Sequence, residues 1–123
     1  MGQPPDVLLI EDDEDVREAM LGVLSSRKLG VVAVASGREA LRHLAESRPR
    51  LILLDMTLPD MHGSELLAVI RGQSTFADVP IFGVTGSRPE EGGLPLQGID
   101  GYLHKPFGVD DLMKVVERFC AAE

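Results

Sequence analysis

Short apolar runs and helically spaced apolar residues alternate along this chain. Val7-Leu8-Leu9-Ile10 is a continuous apolar run, the pattern of a strand covered on both faces. Beyond the acidic cluster Glu11-Asp12-Asp13-Glu14-Asp15, apolar side chains recur at helical spacing at Val16, Met20, Val23 and Leu24. Residues 31–35 read as a second strand. Ser36-Gly37-Arg38-Glu39 is a capping-box pattern that opens a helix carrying Ala40, Leu41 and Leu44. Leu51-Ile52-Leu53-Leu54 is a third buried strand, closed by Asp55. Leu58-Pro59-Asp60 then breaks the chain before a helix with Leu66, Leu67 and Ile70. Residues 79–84 read as a fourth strand reaching Thr85, interrupted only by Pro80 at its start. Tyr102-Leu103-His104 is a short fifth strand, stopped by Pro106. A last helix presents Val109, Leu112, Met113, Val116 and Phe119, with Cys120 extending that face as a packing residue.

Strands alternating with helices predict an α/β fold, a parallel sheet with helices on both faces. Right-handed crossovers leave few topologies, and a doubly wound five-stranded sheet of order 2-1-3-4-5 leads them. Ligands of such sheets bind beyond the carboxyl ends of the strands, where the strand order reverses. The expected strand ends carry Glu11 and Asp12, then Asp55, Thr85 and Lys105. Adjacent strands would bring all five to one rim.

At 123 residues, without repeats or linkers, the chain reads as one domain with a core over about residues 6–121. Its formal charge of −8 repels nucleic acid, and no basic stretch offers a phosphate-binding face, so direct nucleic-acid binding is not expected. No apolar run reaches membrane-spanning length, and the first six residues lack the basic and apolar regions of a secretory signal. Asp6 stands where N-myristoylation expects Ser or Thr. The single cysteine, Cys120, has no partner within the chain, which fits a cytoplasmic location.

Three carboxylates at one rim repel one another, and desolvation raises their pKa values unless a cation is near. A few hard oxygen ligands suit Mg²⁺ better than zinc, and His43, His62 and His104 form no ligand-like spacing with Cys120. With a metal and an ammonium group to neutralise a transferring phosphoryl group, Asp55 could act as nucleophile and form an acyl phosphate. Lys105, one of three lysines with Lys28 and Lys114, alone falls at a strand end. Thr85 offers a hydroxyl donor. Taken singly, each signal has a plainer reading: the acidic run as a solvated helix start, Thr85 as a turn residue, Lys105 as a surface lysine. Their conjunction at four strand ends is what points to a site.

The fragments Val7-Leu8-Leu9-Ile10-Glu11-Asp12-Asp13, Leu53-Leu54-Asp55-Met56-Thr57-Leu58-Pro59-Asp60-Met61-His62-Gly63 and Tyr102-Leu103-His104-Lys105-Pro106-Phe107 occur in order. Together they closely resemble the receiver domain of two-component response regulators, over essentially the whole chain. The resemblance implies a flavodoxin-like (βα)5 fold in one receiver domain, residues 1–123, with no effector domain. It implies that Glu11, Asp12, Asp55 and the backbone carbonyl of Thr57 hold Mg²⁺, and that Asp13 belongs to the helix start. Thr85 and Lys105 would contact the phosphoryl group, and Thr85 and Tyr102 would form a switch pair. The plainer reading of Tyr102 is an ordinary buried strand aromatic. The implied donor is a phosphohistidine on a sensor histidine kinase or histidine phosphotransfer protein. Phosphorylation and dephosphorylation would be self-catalysed, without making the domain an enzyme in the usual sense.

The chain departs from that pattern over residues 86–98, where paired glycines and Pro95 oppose the helix expected before the fifth strand. A short, distorted or mobile fourth helix is the expectation there. Two other readings stand beside the receiver. One is a pseudo-receiver, an unphosphorylated docking module of the same fold. The other is a haloacid-dehalogenase-like phosphatase, which needs a second acid two residues after its nucleophile; Thr57 occupies that position.

Overall fold

The computed structural model describes residues 5–86 and 97–120. The apolar runs form a parallel five-stranded sheet in the order β2-β1-β3-β4-β5. Its strands are β1 (Val7–Ile10), β2 (Val31–Val34), β3 (Leu51–Asp55), β4 (Ile81–Thr85) and β5 (Gly101–His104). The helices are α1 (Glu14–Ser26), α2 (Gly37–Leu44), α3 (Gly63–Arg71) and α4 (Val109–Cys120). This is the doubly wound topology expected from the alternation of patterns. The short or irregular helix expected over residues 86–98 falls largely outside the described residues.

Period-two alternation within each strand divides the core into two layers. Val7, Leu9, Leu51, Leu53, Phe82, Val84 and Leu103 face α1 and α4, meeting Met20, Leu24, Leu112 and Val116. Leu8, Ile10, Ile52, Leu54 and Ile81 face α2 and α3, meeting Ala40, Leu44, Leu66 and Ile70. All four residues of β1 and Leu51, Ile52, Leu53 and Leu54 of β3 are fully buried. Each such side chain contributes roughly 1.5–3 kcal/mol of transfer free energy. Those two strands therefore hold the rim residues that follow them in fixed places.

The fourth strand begins at Ile81 rather than Val79. Val79 is instead buried after a single 3-10 turn, Ser74–Phe76, whose Phe76 joins the α2–α3 layer. The second strand ends at Val34, one residue short of expectation. Ser36 caps α2 as its motif suggested, accepting from the Glu39 amide at 3.2 Å. Cys120 is buried in the α1–α4 layer, as a packing residue should be.

Opposite the strand ends that carry the acidic residues, Arg71 ties several segments together. Its guanidinium donates to the carbonyls of Phe76 (2.8 Å), Val79 (2.7 Å) and Gly98 (2.8 Å), and to Asp100 Oδ2 at 3.0 Å. Asp100 Oδ2 in turn accepts from the Ile81 amide at 2.8 Å. One side chain thus satisfies backbone acceptors that the turn, the approach to β4 and the approach to β5 leave open. Replacing it strands those carbonyls and the Asp100 carboxylate. Arg71→Met should lower unfolding free energy in urea by about 3 kcal/mol; a loss below about 0.5 kcal/mol, the range of surface substitutions, would show that water replaces the guanidinium.

Candidate functional site

Glu11 follows β1 directly, its amide donating to the Val34 carbonyl at 3.0 Å, so its side chain is carried at the sheet rim. The residue is 1% exposed. Arg17, one turn into α1, donates to the Glu11 carbonyl at 3.0 Å and the Asp12 carbonyl at 3.4 Å, shaping the acidic turn from behind. Asp13 does not join the cluster. It is the N-cap of α1, its Oδ1 accepting from the Val16 amide at 3.1 Å. That is the helix-start role the family resemblance implies.

Asp55 ends β3 in register with Val84 of β4 and is 4% exposed. Its Oδ1 accepts from the Thr57 amide at 2.9 Å, which sets the orientation of the carboxylate. The loop that follows is closed on itself by a Thr57–His62 bridge and by the Gly63 amide donating to the Met56 carbonyl at 3.1 Å. A Cβ at Gly63 would lie 2.6 Å from Met56 Cα, so the closure requires glycine.

The tip of this loop is latched to α2. Asp60 Oδ1 accepts from the Gly37 amide and Oδ2 from the Arg38 amide, both at 2.9 Å. The Met61 side chain fills the space beside Gly37, 2.7 Å from where a Cβ would stand. Those amides hold the Asp60 carboxyl below the usual carboxylate range. Sequence reading treated Asp60 only as part of a chain break. Its real partner, the first turn of α2, becomes adjacent only once the sheet is assembled.

At the rim, one carboxylate oxygen each from Glu11, Asp12 and Asp55 lies within 4.8 Å of the others. Burial is the largest cause pushing the Asp55 carboxyl above its usual range. Asp12, exposed, is also pushed up, first by the hydrogen bond it shares with Asp55 and then by its own desolvation. Lys105 follows β5 and turns its Nζ toward Glu11, 3.2 Å from Oε1 and 3.4 Å from Oε2. Only the Oε2 contact has hydrogen-bond geometry, so among the described residues Oε1 is a buried oxygen with an ion-pair contact and no hydrogen bond. The donor set is all carboxylate oxygen and short of positive charge. It fits a hard divalent cation such as Mg²⁺ and offers zinc no nitrogen or sulfur.

The remaining expected residues reach the same end of the sheet. Thr85 ends β4, its carbonyl accepting from the Lys105 amide at 2.8 Å. Tyr102 lies in β5 directly opposite Gly83. By strand alternation Thr85 and Tyr102 therefore share one face of the sheet. Thr57 contributes its amide to Asp55 and lies in the loop beside the carboxylates.

Residues 7–117 match the model of the response regulator receiver domain. The chain belongs to that family. It is 34% identical over 98% of its length to the nitrate/nitrite response regulator protein NarL of Escherichia coli, covering 57% of that protein. It is 35% identical over 87% of its length to the transcriptional regulatory protein KdpE of Mycobacterium tuberculosis, covering 47% of it. The chain thus spans about half the length of such relatives. Among solved structures it resembles the chemotaxis response regulator CheY4 of Vibrio cholerae (TM-score 0.84, 29% identity, 95% of this chain and 99% of that one). It also resembles the receiver domain of sensor histidine kinase PA1611 of Pseudomonas aeruginosa (TM-score 0.86, 28% identity, 98% of this chain and 100% of that one). That structure has a magnesium ion coordinated in the active site cleft. Among the described residues, no helix is long and apolar enough to cross a membrane.

Asp12 and Asp55 both have folded-state pKa values above the unfolded value of about 3.9. The folded, metal-free chain therefore binds protons more tightly than the unfolded one. The stability this contributes is full below the unfolded value and is lost as pH rises through the folded values. Asp60, shifted the other way, loses its contribution only as pH falls through its own lower value. In chelator, Asp55→Asn should raise the urea midpoint at about pH 7 and reduce the fall in stability as pH rises above the unfolded carboxylate value of about 3.9. Equal pH profiles for the two proteins would show that the carboxylates do not burden the fold.

Proposed function

We propose that this chain is a phosphorylation-switched receiver whose phosphoryl acceptor is Asp55. The observation that carries the reading is the placement of Asp55: buried at the end of β3, oriented by the Thr57 amide, and within 4.8 Å of two further carboxylates. The donor is a phosphohistidine on a sensor histidine kinase or a histidine phosphotransfer protein. A carboxylate oxygen of Asp55 forms a bond to phosphorus while the phosphorus–nitrogen bond of the donor breaks, and the departing imidazole takes up a proton.

Glu11, Asp12, Asp55 and the Thr57 carbonyl would hold Mg²⁺, which would supply positive charge to the transferring phosphoryl oxygens. Lys105 adds an ammonium charge at the same rim, moving from Glu11 toward the phosphoryl group. Thr85 donates its hydroxyl to a phosphoryl oxygen. Positioning and electrostatics are what the protein contributes, so the domain promotes its own phosphorylation and hydrolysis without turning over a separate substrate. Thr85 and Tyr102 convert occupancy of the site into a change at a protein-binding surface, biasing two states that already exist. We assign residues 1–123 to a single receiver domain acting in the cytoplasm, with its output carried by a protein partner.

The unphosphorylated docking module is not favoured. Family membership, together with an intact Glu11, Asp12, Asp55, Thr85 and Lys105, supports the phosphoacceptor. Acetyl phosphate with Mg²⁺ should give a single acid-stable, base-labile phosphoryl adduct by mass spectrometry, absent in Asp55→Asn. No adduct with several small donors and a competent kinase would overturn the assignment.

A further inference from the structure

Gly83 is an unusual choice for the inside of β4, where residues with a Cβ pack better and bear less entropic cost. Its surroundings explain it. A Cβ built on Gly83 would stand 2.9 Å from Tyr102 Cδ1, 3.0 Å from Tyr102 Cε1 and 2.9 Å from Met56 Sδ. The ring and the thioether thus flank the one space that the missing side chain leaves. The register puts Gly83 directly opposite Tyr102, so the ring leans inward across its own cross-strand partner.

The same device appears one residue earlier on the other face. Phe82 opposes Gly101, and a Cβ there would lie 2.6 Å from Phe82 Cε2. Phe82 is 7% exposed and packs on Phe119 with ring centroids 5.5 Å apart, so that ring belongs to the core. Tyr102 is only half-buried, and its far neighbour is different. Met56 is the residue immediately after Asp55, and its amide donates to the Val84 carbonyl at 3.0 Å.

We infer that Gly83 is a positioning residue: it seats the Tyr102 ring against Met56, joining β5 to the backbone that leaves the acceptor aspartate. The ring position then depends on Gly83 and Met56 and does not require the Thr85 hydroxyl. Displacement of the segment after Asp55 reaches β5 through a packed contact as well as through any hydroxyl movement. This deepens the receiver reading, but the seating itself involves no phosphoryl transfer.

The atoms a new Cβ would meet are the edge of a ring and the sulfur of a flexible side chain, so Gly83→Ala displaces the ring rather than the sheet. The chain holds one tyrosine and no tryptophan, which makes intrinsic fluorescence a direct report on Tyr102. Acrylamide quenching, with far-UV circular dichroism to verify folding, should rise by roughly twofold in Gly83→Ala as the half-buried ring is exposed. Thr85→Ala should leave quenching unchanged. In the unaltered protein, nuclear Overhauser contacts should connect the Tyr102 ring to the Gly83 α-protons and the Met56 methyl, a result that needs no variant to fold. Absence of those contacts, unchanged quenching in Gly83→Ala, or a rise in quenching in Thr85→Ala as large as that in Gly83→Ala would each overturn the inference. Loss of the phosphoryl adduct at Asp55 would leave all three measurements standing, so the two readings fail separately.

Discussion

Three carboxylates held within 4.8 Å of one another at the end of a buried sheet are an unfavourable arrangement, and one lysine only partly offsets it. The fully buried β1 and β3 run side by side, so Glu11 and Asp55 cannot separate without breaking the centre of the core. Like charges that cannot move apart respond by taking up protons or a cation. The upward shifts of Asp12 and Asp55 are the first response. The second is the opportunity the site offers to a divalent metal. A fold that stores repulsion at one rim is thereby prepared to bind a cation.

Everything around the cluster limits its freedom. Arg17 shapes the Glu11–Asp12 turn through two carbonyls, and Asp13 is committed to capping α1. The loop after Asp55 is pinned by Asp60 and Met61 to α2 and closed by Gly63. Met56 then meets the space shared with Tyr102 over Gly83. The segment after Asp55 is therefore latched to α2 on one side and, on the other, borders the space beside Gly83 that Tyr102 of β5 also lines.

Much of this was legible in the sequence because the signals were strong and local. Four-residue apolar runs have few alternatives to buried parallel strands, and a carboxylate closing such a run needs a partner. Order of elements and right-handed crossovers then placed Glu11, Asp12, Asp55, Thr85 and Lys105 at one rim. Residues whose roles depend on distant neighbours were harder to read. Asp60 caps a helix that begins 23 positions earlier in the chain, and Arg71 serves carbonyls from three segments. Gly83 looked like any glycine in an apolar strand, because its meaning lies in the ring opposite. The apolar run over residues 79–84 carries Val79 into the expected strand, yet β4 begins only at Ile81 and Val79 is buried with Phe76 in the α2–α3 layer.

The central claim is that the acidic cluster is held in electrostatic tension which a divalent cation relieves. Carboxyl-carbon NMR titrations of Asp12 and Asp55, in chelator and in saturating Mg²⁺, test it most directly. Both groups should titrate above the ordinary carboxylate range in chelator, and Mg²⁺ should move both below it. Ordinary titration in chelator with no response to Mg²⁺ would contradict the account.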